Sequence, residues 1–495
     1  MVDGVDRESV NTVDWLTVTT TSPAASPSAP AAGGWIGSPL LTVVVLCFGG
    51  LTASLTQTMV IPIQGELGML LHTSEANASW VVTATLVAGA VAMPISGRLG
   101  DLFGKQRVLM ISAALLALGS LVCALSDTLA PMLAGRMLQG FAMGFIPVGI
   151  ALMREVVPPQ YAATGMAAMS ATLGVGGAIG LPLSAWIVQD FSWHTLFWVS
   201  TGLAAAVAAA VVLLVPHVRD AVPGRFDAVG AVGLAVGLVA LLVAVSKGNE
   251  WGWAHGRTIG LLVAAVVVLL AWGSYELRVA DPLCDLRVSA RRPVLLTNVA
   301  AIAIGFGMMA QAIVVPRLLQ SPGATGYGLG QTMLETGLWL APGGLVMMAF
   351  SPVSGRLIRL IGARRTLMIG ATVLGLGYVF AIFLTDAPWQ LMVSNCITSA
   401  GIGIGYAAMP TLILEAVPLA EAGSGVGING LMRSIGTSVS AAVMAAILTS
   451  STISLGGYDI PDEGAFRICF VVGAAAAFLG VVLAALVPAR RGASA

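Results

Sequence analysis

The chain of 495 residues is far more apolar than a soluble protein, with 57% hydrophobic residues, 9% charged residues and a mean hydropathy of +0.93. Charged residues normally make up about a quarter of a soluble chain, so this composition excludes an ordinary soluble domain. The equal numbers of basic and acidic residues, 23 each, argue against a nucleic-acid partner, which needs a net basic surface. A lipid bilayer must therefore cover most of the protein.

The first segment, residues 1–38, is rich in Ser, Thr, Ala and Pro. This composition predicts a disordered tail. The segment lacks the basic start and early apolar core of a signal peptide, so we expect the first apolar run to remain as a membrane helix.

The rest of the chain is a series of long apolar runs. A spanning helix needs about 20 such residues, and on this criterion we predict fourteen spans, with twelve as the alternative. The runs lie near residues 39–62, 78–98, 107–126, 131–153, 166–188, 195–215, 226–246, 258–275, 294–316, 334–355, 366–384, 389–413, 426–449 and 466–487.

The basic residues between the runs predict the orientation of the chain. Short loops rich in Lys and Arg are retained in the cytoplasm. With the amino terminus inside, seventeen of the 23 basic residues are cytoplasmic. The four outside are Lys247, Arg257, Arg317 and Arg467. We therefore expect a multi-pass plasma-membrane protein with both termini in the cytoplasm.

The loop after the second run is repeated later in the chain. The windows 94–107 (PISGRLGDLFGKQR) and 352–365 (PVSGRLIRLIGARR) share eight of fourteen residues without a gap. Parallel repeats of this kind build transporters whose substrate path lies between the two halves. The predicted fold is all-α, with two six-helix bundles and two inserted helices. Its predicted parts are 39–215, a linker at 216–292 with the extra helices, 293–487, and a cytoplasmic tail at 488–495.

The first window carries the most specific pattern in the sequence. Gly97 and Gly100 allow close helix approach, and Asp101, near Lys105 and Arg107, can bond to cations or to a helix amino terminus. These residues could form a latch between the halves, while a positive-inside loop with an incidental Asp is the alternative. The gating residues predicted from both windows are Gly97, Asp101, Gly104, Lys105, Arg107, Gly355, Arg359, Arg364 and Arg365.

Residues 97–107 resemble the signature G-x-L-x-D-x-x-G-x-[RK]-[RK] of the major facilitator superfamily. With an inserted helix pair, the chain is similar to the fourteen-helix drug/proton antiporter subfamily (EmrB/QacA type). This resemblance implies secondary transport by alternating access, and it implies that Asp101 and its basic neighbours belong to a cytoplasmic gate.

The fourth run contains Arg136, in a segment that resembles the family pattern R-x-x-Q-G. An arginine inside a bilayer costs at least about 2.5 to 3.5 kcal/mol, so Arg136 needs a partner or a water-filled cavity. The alternative is an interfacial side chain that reaches outward. The resemblance implies that Arg136 takes part in proton coupling with Gln139.

The fifth run is rich in glycine and resembles the antiporter motif G-x-x-x-G-P-x-x-G-G. The predicted motif residues are Gly176, Gly180 and Pro182. The order Gly-Leu-Pro departs from the usual Gly-Pro, which weakens the case for exchange over uptake. Ordinary close helix packing is the alternative, and the spacing does not fit a nucleotide-binding GxGxxG loop.

The first run lacks an acidic residue that the family usually carries. Thr56 stands in that position, although proton antiport needs a carboxylate, or another group of suitable pKa, that faces each side in turn. The remaining acids near helix ends are Glu66, Asp127, Glu335 and Glu415, and of these Glu66 and Glu335 are the candidate proton carriers. Either one of them is drawn inward, or coupling differs from the family rule.

Polar and aromatic residues within the runs could line a substrate cavity. Most buried polar groups in membranes are interhelical bonds worth about 0.6 kcal/mol each, and Trp and Tyr also anchor helices at the interface. The candidate cavity residues are Thr56, Gln57, Trp80, Gln311, Trp339, Asn395, Tyr406, Asn429 and Arg433.

Together these patterns favour proton-coupled efflux of small hydrophobic or amphipathic compounds, such as drugs, antibiotics or secondary metabolites. Uptake or facilitated diffusion of a metabolite is the alternative. The sequence shows no metal cluster, nucleophile constellation or phosphate loop, so we expect neither an enzyme nor a cofactor. The expected partners are a small-molecule substrate, protons and the bilayer.

Overall fold

The computed structural model describes residues 38–61, 63–64, 66–217, 224–455 and 458–488. Within these residues, fourteen helices are long and apolar enough to cross a membrane, which confirms the predicted count. Apart from Ser38 and Pro488, the predicted tails at 1–38 and 488–495 lie outside the described residues.

Fourteen helices, α1 to α14, follow one another along the chain, and four of them are interrupted by a short break or turn. The uninterrupted helices are α1 (Pro39–Thr58), α3 (Lys105–Ala124), α5 (Pro159–Asp190), α6 (His194–Leu214), α7 (Ala228–Trp251), α8 (Gly256–Glu276), α9 (Arg292–Gln320), α10 (Met333–Ile361), α11 (Ala363–Phe383) and α14 (Glu463–Leu486). The interrupted helices are α2 (Glu75–Ala78 and Trp80–Phe103), α4 (Leu129–Phe141 and Phe145–Val156), α12 (Pro388–Gly405 and Ala408–Ala416) and α13 (Leu419–Glu421 and Ala422–Ser450).

The sharp turns after α2 and α10 are made by glycine. Gly104 and Gly362 have φ angles of 96° and 85°, a region that residues with a side chain rarely adopt. The two glycines occupy equivalent positions in the repeated windows 94–107 and 352–365. Each half therefore reverses direction at the same point, directly after its second helix.

The fourth helix of each half is broken near a proline. A 3₁₀ turn at Ala142–Gly144 divides α4, and α12 is interrupted after Gly405. Pro147 and Pro410 follow these breaks and have no N–H to donate to the preceding turn. Each proline thus favours a break on its amino-terminal side.

The inserted helices lie against the junction between the halves. Leu234 and Leu238 of α7 belong to one apolar cluster with Val87 and Val91 of α2 and Leu431 of α13. In α8 only 11% of the most apolar window is buried, so this helix faces lipid. The architecture of two six-helix bundles with an added pair agrees with the prediction, and the exact limits 39–215, 216–292 and 293–487 stay predictions.

One small sheet adds to the all-α fold. Strand β1 (Thr452–Leu455) pairs with the antiparallel strand β2 (Tyr458–Pro461) between α13 and α14, with Ile453 opposite Ile460. Strands of four residues are too short for a window that searches for spanning helices, so the sequence analysis missed them.

Candidate functional site

Asp101 joins the two halves at one end of the bundle. Its carboxylate is 1% exposed and accepts hydrogen bonds from the amides of Gly423 (3.0 Å) and Ser424 (2.9 Å) in α13. The first N–H groups of a helix have no partner within the helix, and the helix dipole makes that end positive. A carboxylate of the first half therefore caps a helix of the second half.

A buried lysine holds this carboxylate in place. The ammonium group of Lys105 lies 3.2 Å from Asp101 Oδ1 and 2.6 Å from Glu155 Oε1. The three charges join α2, α3 and α4. The sequence analysis did not single out Glu155, although it ends the fourth apolar run beside Arg154. Because the group is buried, removing one member changes the charge balance among the other two at a cost that surface water would otherwise reduce.

Glycine allows α2 and α13 to meet backbone to backbone. A Cβ added to Gly97 would collide with the carbonyl of Gly423 and lie 3.0 Å from the amide of Ser424. A Cβ on Gly427 would lie 2.5 Å from the carbonyl oxygen of Met93. The two helices therefore have no room for a side chain along this contact.

The second window makes a related contact between α10 and α5. Arg359 is exposed and donates to the carbonyl oxygen of Gln160 (3.1 Å) and to Thr164 Oγ1 (3.0 Å). A Cβ on Gly355 would lie 2.6 Å from Thr164 Oγ1. We call the end of the bundle formed by residues 98–107 and 356–365 the basic end. Both contacts close the bundle there.

The remaining predicted gating residues lie at the basic end but make no described contact between the halves. Gly104 shapes the turn after α2, and Arg107 and Arg365 are exposed. Arg364 donates to the carbonyl oxygen of Ala485, which ties α11 to α14 within one half. The structure thus brings only part of the predicted set to the interface between the halves.

Arg136 is 1% exposed and lies among α2, α3 and α4. It donates to the carbonyl oxygen of Val81 (3.2 Å) and to Gln139 Oε1 (2.6 Å), and Gln139 in turn donates to Ser120 Oγ (2.9 Å). No carboxylate in the described part of the chain lies within 4.0 Å of Arg136. The guanidinium group is therefore buried without an acidic partner among the described residues.

The candidate proton carriers lie apart from Arg136. Thr56 donates to the carbonyl oxygen of Thr52 in its own helix (2.8 Å). Glu66 is exposed in the connection between α1 and α2. Glu335 is also exposed, and its carboxylate bonds to Thr332 in a capping box at the start of α10. This position suits helix capping, because the unpaired N–H groups of the first turn attract the carboxylate.

The glycine-rich stretch of α5 packs against α1. A Cβ on Gly176 would lie 2.5 Å from Ser54 Oγ, and one on Gly180 would collide with Thr58. Thr58 donates to the carbonyl oxygen of Gly176 (3.0 Å). Further along α5, Pro182 is 3.4 Å from the position of a Cβ on Gly337 in α10. The motif residues therefore lie in tight helix contacts, and their role as an antiporter motif stays a prediction.

Several candidate cavity residues lie together on the helices of the second half. The guanidinium carbon of Arg433 is 4.3 Å from the ring centroid of Tyr406, and Asn429 donates to Asn298 Oδ1 (3.0 Å). Gln311 is 5% exposed, and neither of its side-chain polar atoms has a hydrogen-bond partner among the described residues. Unsatisfied buried groups of this kind are available to a ligand or to water.

The other candidates have structural contacts. Asn395 donates to the carbonyl oxygen of Leu340 (3.0 Å), and Trp339 donates to Gln331 Oε1 (2.8 Å). The ammonium group of Lys247 lies over the ring of Trp80, 4.8 Å from the ring centroid. Trp80 therefore packs on the inserted helix α7. Gln57 is half-buried in α1.

Comparison with known proteins identifies the architecture. The Major Facilitator Superfamily model matches residues 46–359 and 297–494, which is most of the chain. The chain belongs to the major facilitator superfamily. Its fourteen spanning helices agree with the fourteen-helix type of this superfamily.

The chain is similar to bacterial members of the superfamily. An MFS-type transporter of Mycobacterium tuberculosis is 28% identical over 460 residues, covering 89% of this chain and 65% of that protein. The chain thus spans just under two thirds of that relative's length. The tetracenomycin C resistance and export protein of Streptomyces glaucescens is 27% identical over 440 residues, covering 88% of this chain and 80% of that protein.

One solved superfamily structure has the same fold. The human organic anion transporter MFSD10 (TETRAN) superimposes with a TM-score of 0.64 at 15% identity, covering 90% of this chain and 99% of that chain. At this identity the likeness shows the fold alone. The protein is therefore a multi-pass membrane protein with a transporter fold.

Proposed function

We propose that this protein exports small hydrophobic or amphipathic compounds across the plasma membrane by proton antiport. Its two halves would rock between states that open the central path to one side and then to the other. Drugs, antibiotics or secondary metabolites are the proposed substrate class. The names of two relatives support this class, namely the tetracenomycin C exporter and a multidrug resistance protein B homolog of Mycobacterium tuberculosis, which is 26% identical over 424 residues, covering 83% of this chain and 76% of that protein.

The observation that carries the proposal is the bond between Asp101 and the start of α13. It links the halves through two hydrogen bonds, each between residues that lie more than 320 positions apart in the sequence. Hydrogen bonds to a charged acceptor are worth about 1.5 to 3 kcal/mol each, and their geometry is lost when the helices separate. The contact can therefore bias a two-state equilibrium in the way that a gate requires.

The orientation of the gate follows from the loop charges. The basic end carries many of the Lys and Arg residues between the spans, and such loops stay in the cytoplasm. We therefore assign the closed end to the cytoplasmic side, with both chain termini on that side. In this state the central path would be shut toward the cytoplasm.

Proton coupling would use the buried polar chain of Arg136, Gln139 and Ser120. An unpaired guanidinium group within a bundle attracts a carboxylate or an anionic substrate group. Thr56 supplies no carboxylate in α1, so an acid elsewhere has to carry the proton.

Recognition of the substrate would fall to the second half. Tyr406 and Arg433 offer an aromatic face and a cation, and Gln311 offers unbonded amide atoms. Such a mixture of apolar and polar groups suits compounds that combine a ring system with a few polar substituents.

Transport into inside-out vesicles tests the proposal. We expect accumulation of several dyes and polyaromatic antibiotics when the vesicle lumen is acidified, and loss of accumulation in Arg136→Ala. Vesicles without the protein and vesicles with collapsed gradients serve as controls. Flux that runs down the substrate gradient regardless of pH would instead support facilitated diffusion, and no flux for the whole panel would contradict export.

A further inference from the structure

Two buried carboxylates face each other where the inserted helices begin and end. Asp227 precedes α7, and Glu276 is the last residue of α8. Asp227 is 9% exposed and Glu276 is 2% exposed. The resemblance to known transporters drew attention to neither residue, because acids are common at the ends of apolar runs.

Each carboxylate has one bonded and one unbonded oxygen. Asp227 Oδ1 accepts from the amide of Gly230 (2.8 Å) and from the hydroxyl of Tyr275 (3.1 Å), and Glu276 Oε2 accepts from the amide of Cys284 (3.4 Å). Asp227 Oδ2 and Glu276 Oε1 are buried without a hydrogen-bond partner.

The two unbonded oxygens face the same point. A Cβ added to Gly230 would collide with Asp227 Oδ2 and would lie 2.5 Å from Glu276 Oε1. The oxygens therefore border one small space that only a glycine leaves open. No donor of the described residues bonds to either oxygen.

The surrounding groups do not neutralise the pair. The indole N–H of Trp272 lies near Glu276 but has no acceptor in hydrogen-bond geometry. Burial raises the pKa of the Cys284 thiol above its ordinary value, so this thiol stays neutral. The positive charge of Arg98 in α2 is close enough to oppose the effect of burial on the pKa of Cys284. No described cation forms an ion pair with either carboxylate.

Two carboxylates in such a position are stable when they share one proton. Like charges at short range in a buried site disfavour double ionisation, and a proton on Glu276 Oε1 would turn this oxygen into a donor beside Asp227 Oδ2. A metal ion fits less well, because Ca²⁺ and Mg²⁺ take about six or more oxygen ligands. The described residues contain no group of three His, Cys or acidic side chains that could hold one.

A short segment connects this pair with the Asp101 contact. Cys284 binds Glu276 through its amide, and the carbonyl oxygen of the preceding Leu283 accepts a hydrogen bond from Ser424 Oγ (3.3 Å). The amide of Ser424 is one of the two that bind Asp101. Leu283 and Cys284 are 1% and 2% exposed. Because this segment is packed on both sides, a movement of Glu276 would displace the residues that contact the start of α13.

We propose that Asp227 and Glu276 form a proton-binding site that controls the Asp101 contact through Leu283 and Cys284. When the proton leaves, the two carboxylates repel each other, and the segment that holds Ser424 moves. A pH-dependent gate would regulate transport only if the proposed export function holds, whereas the proton site itself does not depend on that function.

Infrared spectra of the purified full chain test the site, with the spectrum of each variant subtracted from that of the wild type. We expect the carbonyl band of a protonated carboxylic acid at neutral pH in the wild type, and loss of that band in Glu276→Gln and in Asp227→Asn. In each variant the new amide donates to the remaining carboxylate in place of the proton. Asp227→Asn also keeps an oxygen for the helix cap, so it remains useful if Glu276→Gln folds poorly. Asp127→Asn, which changes an exposed acid, should keep the band.

Distances between spin labels at Arg107 and Arg365 test the link. We expect the wild-type distance to change with pH and the pH response to be lost in both amide variants. A carboxylic acid band that persists in both variants would overturn the proton site. A pH response that persists after the band is lost would overturn its link to Asp101. Neither readout needs a transported compound, so a failure of export in vesicles is a separate result.

Discussion

The two repeated windows place opposite charges at the same position, Asp101 in the first and Arg359 in the second. Each residue reaches the beginning of a helix in the other half. Asp101 is 1% exposed and bonds to two amides of α13. Arg359 is exposed and bonds to a carbonyl and a hydroxyl group of α5. The contacts are thus related by the repeat but differ in depth and in chemistry.

The difference follows from the electrostatics of helix ends. The positive end of a helix favours a carboxylate and disfavours a guanidinium group, so Arg359 cannot cap α5 as Asp101 caps α13. Arg359 instead donates to oxygens beside the helix start, where water competes. We infer that the first contact supplies most of the stability of the closed end and that the second mainly aligns the helices.

Asp101→Asn should have the largest effect. The amide loses the charge that both backbone bonds and Lys105 stabilise, and breaking a buried ion pair costs about 3 kcal/mol or more. We expect the open population to rise roughly a hundredfold. Alkylation of a Met93→Cys reporter, which the contact buries, measures this change. Unchanged alkylation would show that Asp101 does not hold the halves together, and Asp127→Asn is the matched control.

Gly97→Ala should come next. The new methyl group meets backbone atoms of Gly423 and Ser424, which cannot move aside as a flexible side chain would. Overpacking of this kind costs about 1 to 3 kcal/mol. The same reporter should react faster by about tenfold. Gly202→Ala is the control, because nothing lies within 4 Å of its added Cβ, and equal rates in both variants would contradict the close contact.

Gly355→Ala should weaken the second contact to a smaller extent. The added methyl group would lie 2.6 Å from the hydroxyl of Thr164, which can rotate away, and 2.9 Å from its Cα, which cannot. The nearest backbone atom is closer at Gly97, where the added Cβ would collide with a carbonyl oxygen. We expect a cost of about 1 kcal/mol and partial rescue by Thr164→Ala, which removes that hydroxyl. A larger effect than that of Gly97→Ala would reverse the ranking of the two contacts.

Arg359→Gln should have the smallest effect. Exposed polar and ionic contacts contribute about 0 to 1 kcal/mol, and glutamine can still donate to Thr164. We expect vesicle transport within about threefold of the wild type. A loss as severe as that of Asp101→Asn would mean that the exposed contact, not the buried one, controls the gate.

The helices could be predicted from the sequence because a bilayer imposes a length on every apolar run. The fourteen spans were visible for that reason, whereas the strands at 452–461 were too short. The repeat was visible because eight of fourteen residues are identical in its two windows. The chemistry of Asp101 was also predictable, since only cations or a helix start suit its carboxylate. Its partners on α13 were not, because no local pattern links residues 101 and 423.

Other site residues depend on contacts that a single sequence does not reveal. Glu155 and the pair of Asp227 and Glu276 lie at the ends of apolar runs, where most acids are simply solvated. Conversely, Trp80 was a candidate cavity residue because it is aromatic and lies within an apolar run, but it packs beneath Lys247 of the inserted helix. Which side of a helix faces the central path is decided by its neighbours rather than by its own sequence.

The central claim is that the carboxylate of Asp101, bound to the start of α13, holds the basic end closed. Pulsed electron paramagnetic resonance on lipid-nanodisc samples tests it directly, with labels at the exposed positions Arg107 and Arg365 in a variant whose five cysteines are replaced by serine. At neutral pH we expect a single short distance in the otherwise unchanged protein and a second, longer distance in Asp101→Asn. Identical distance distributions in the two samples would contradict it.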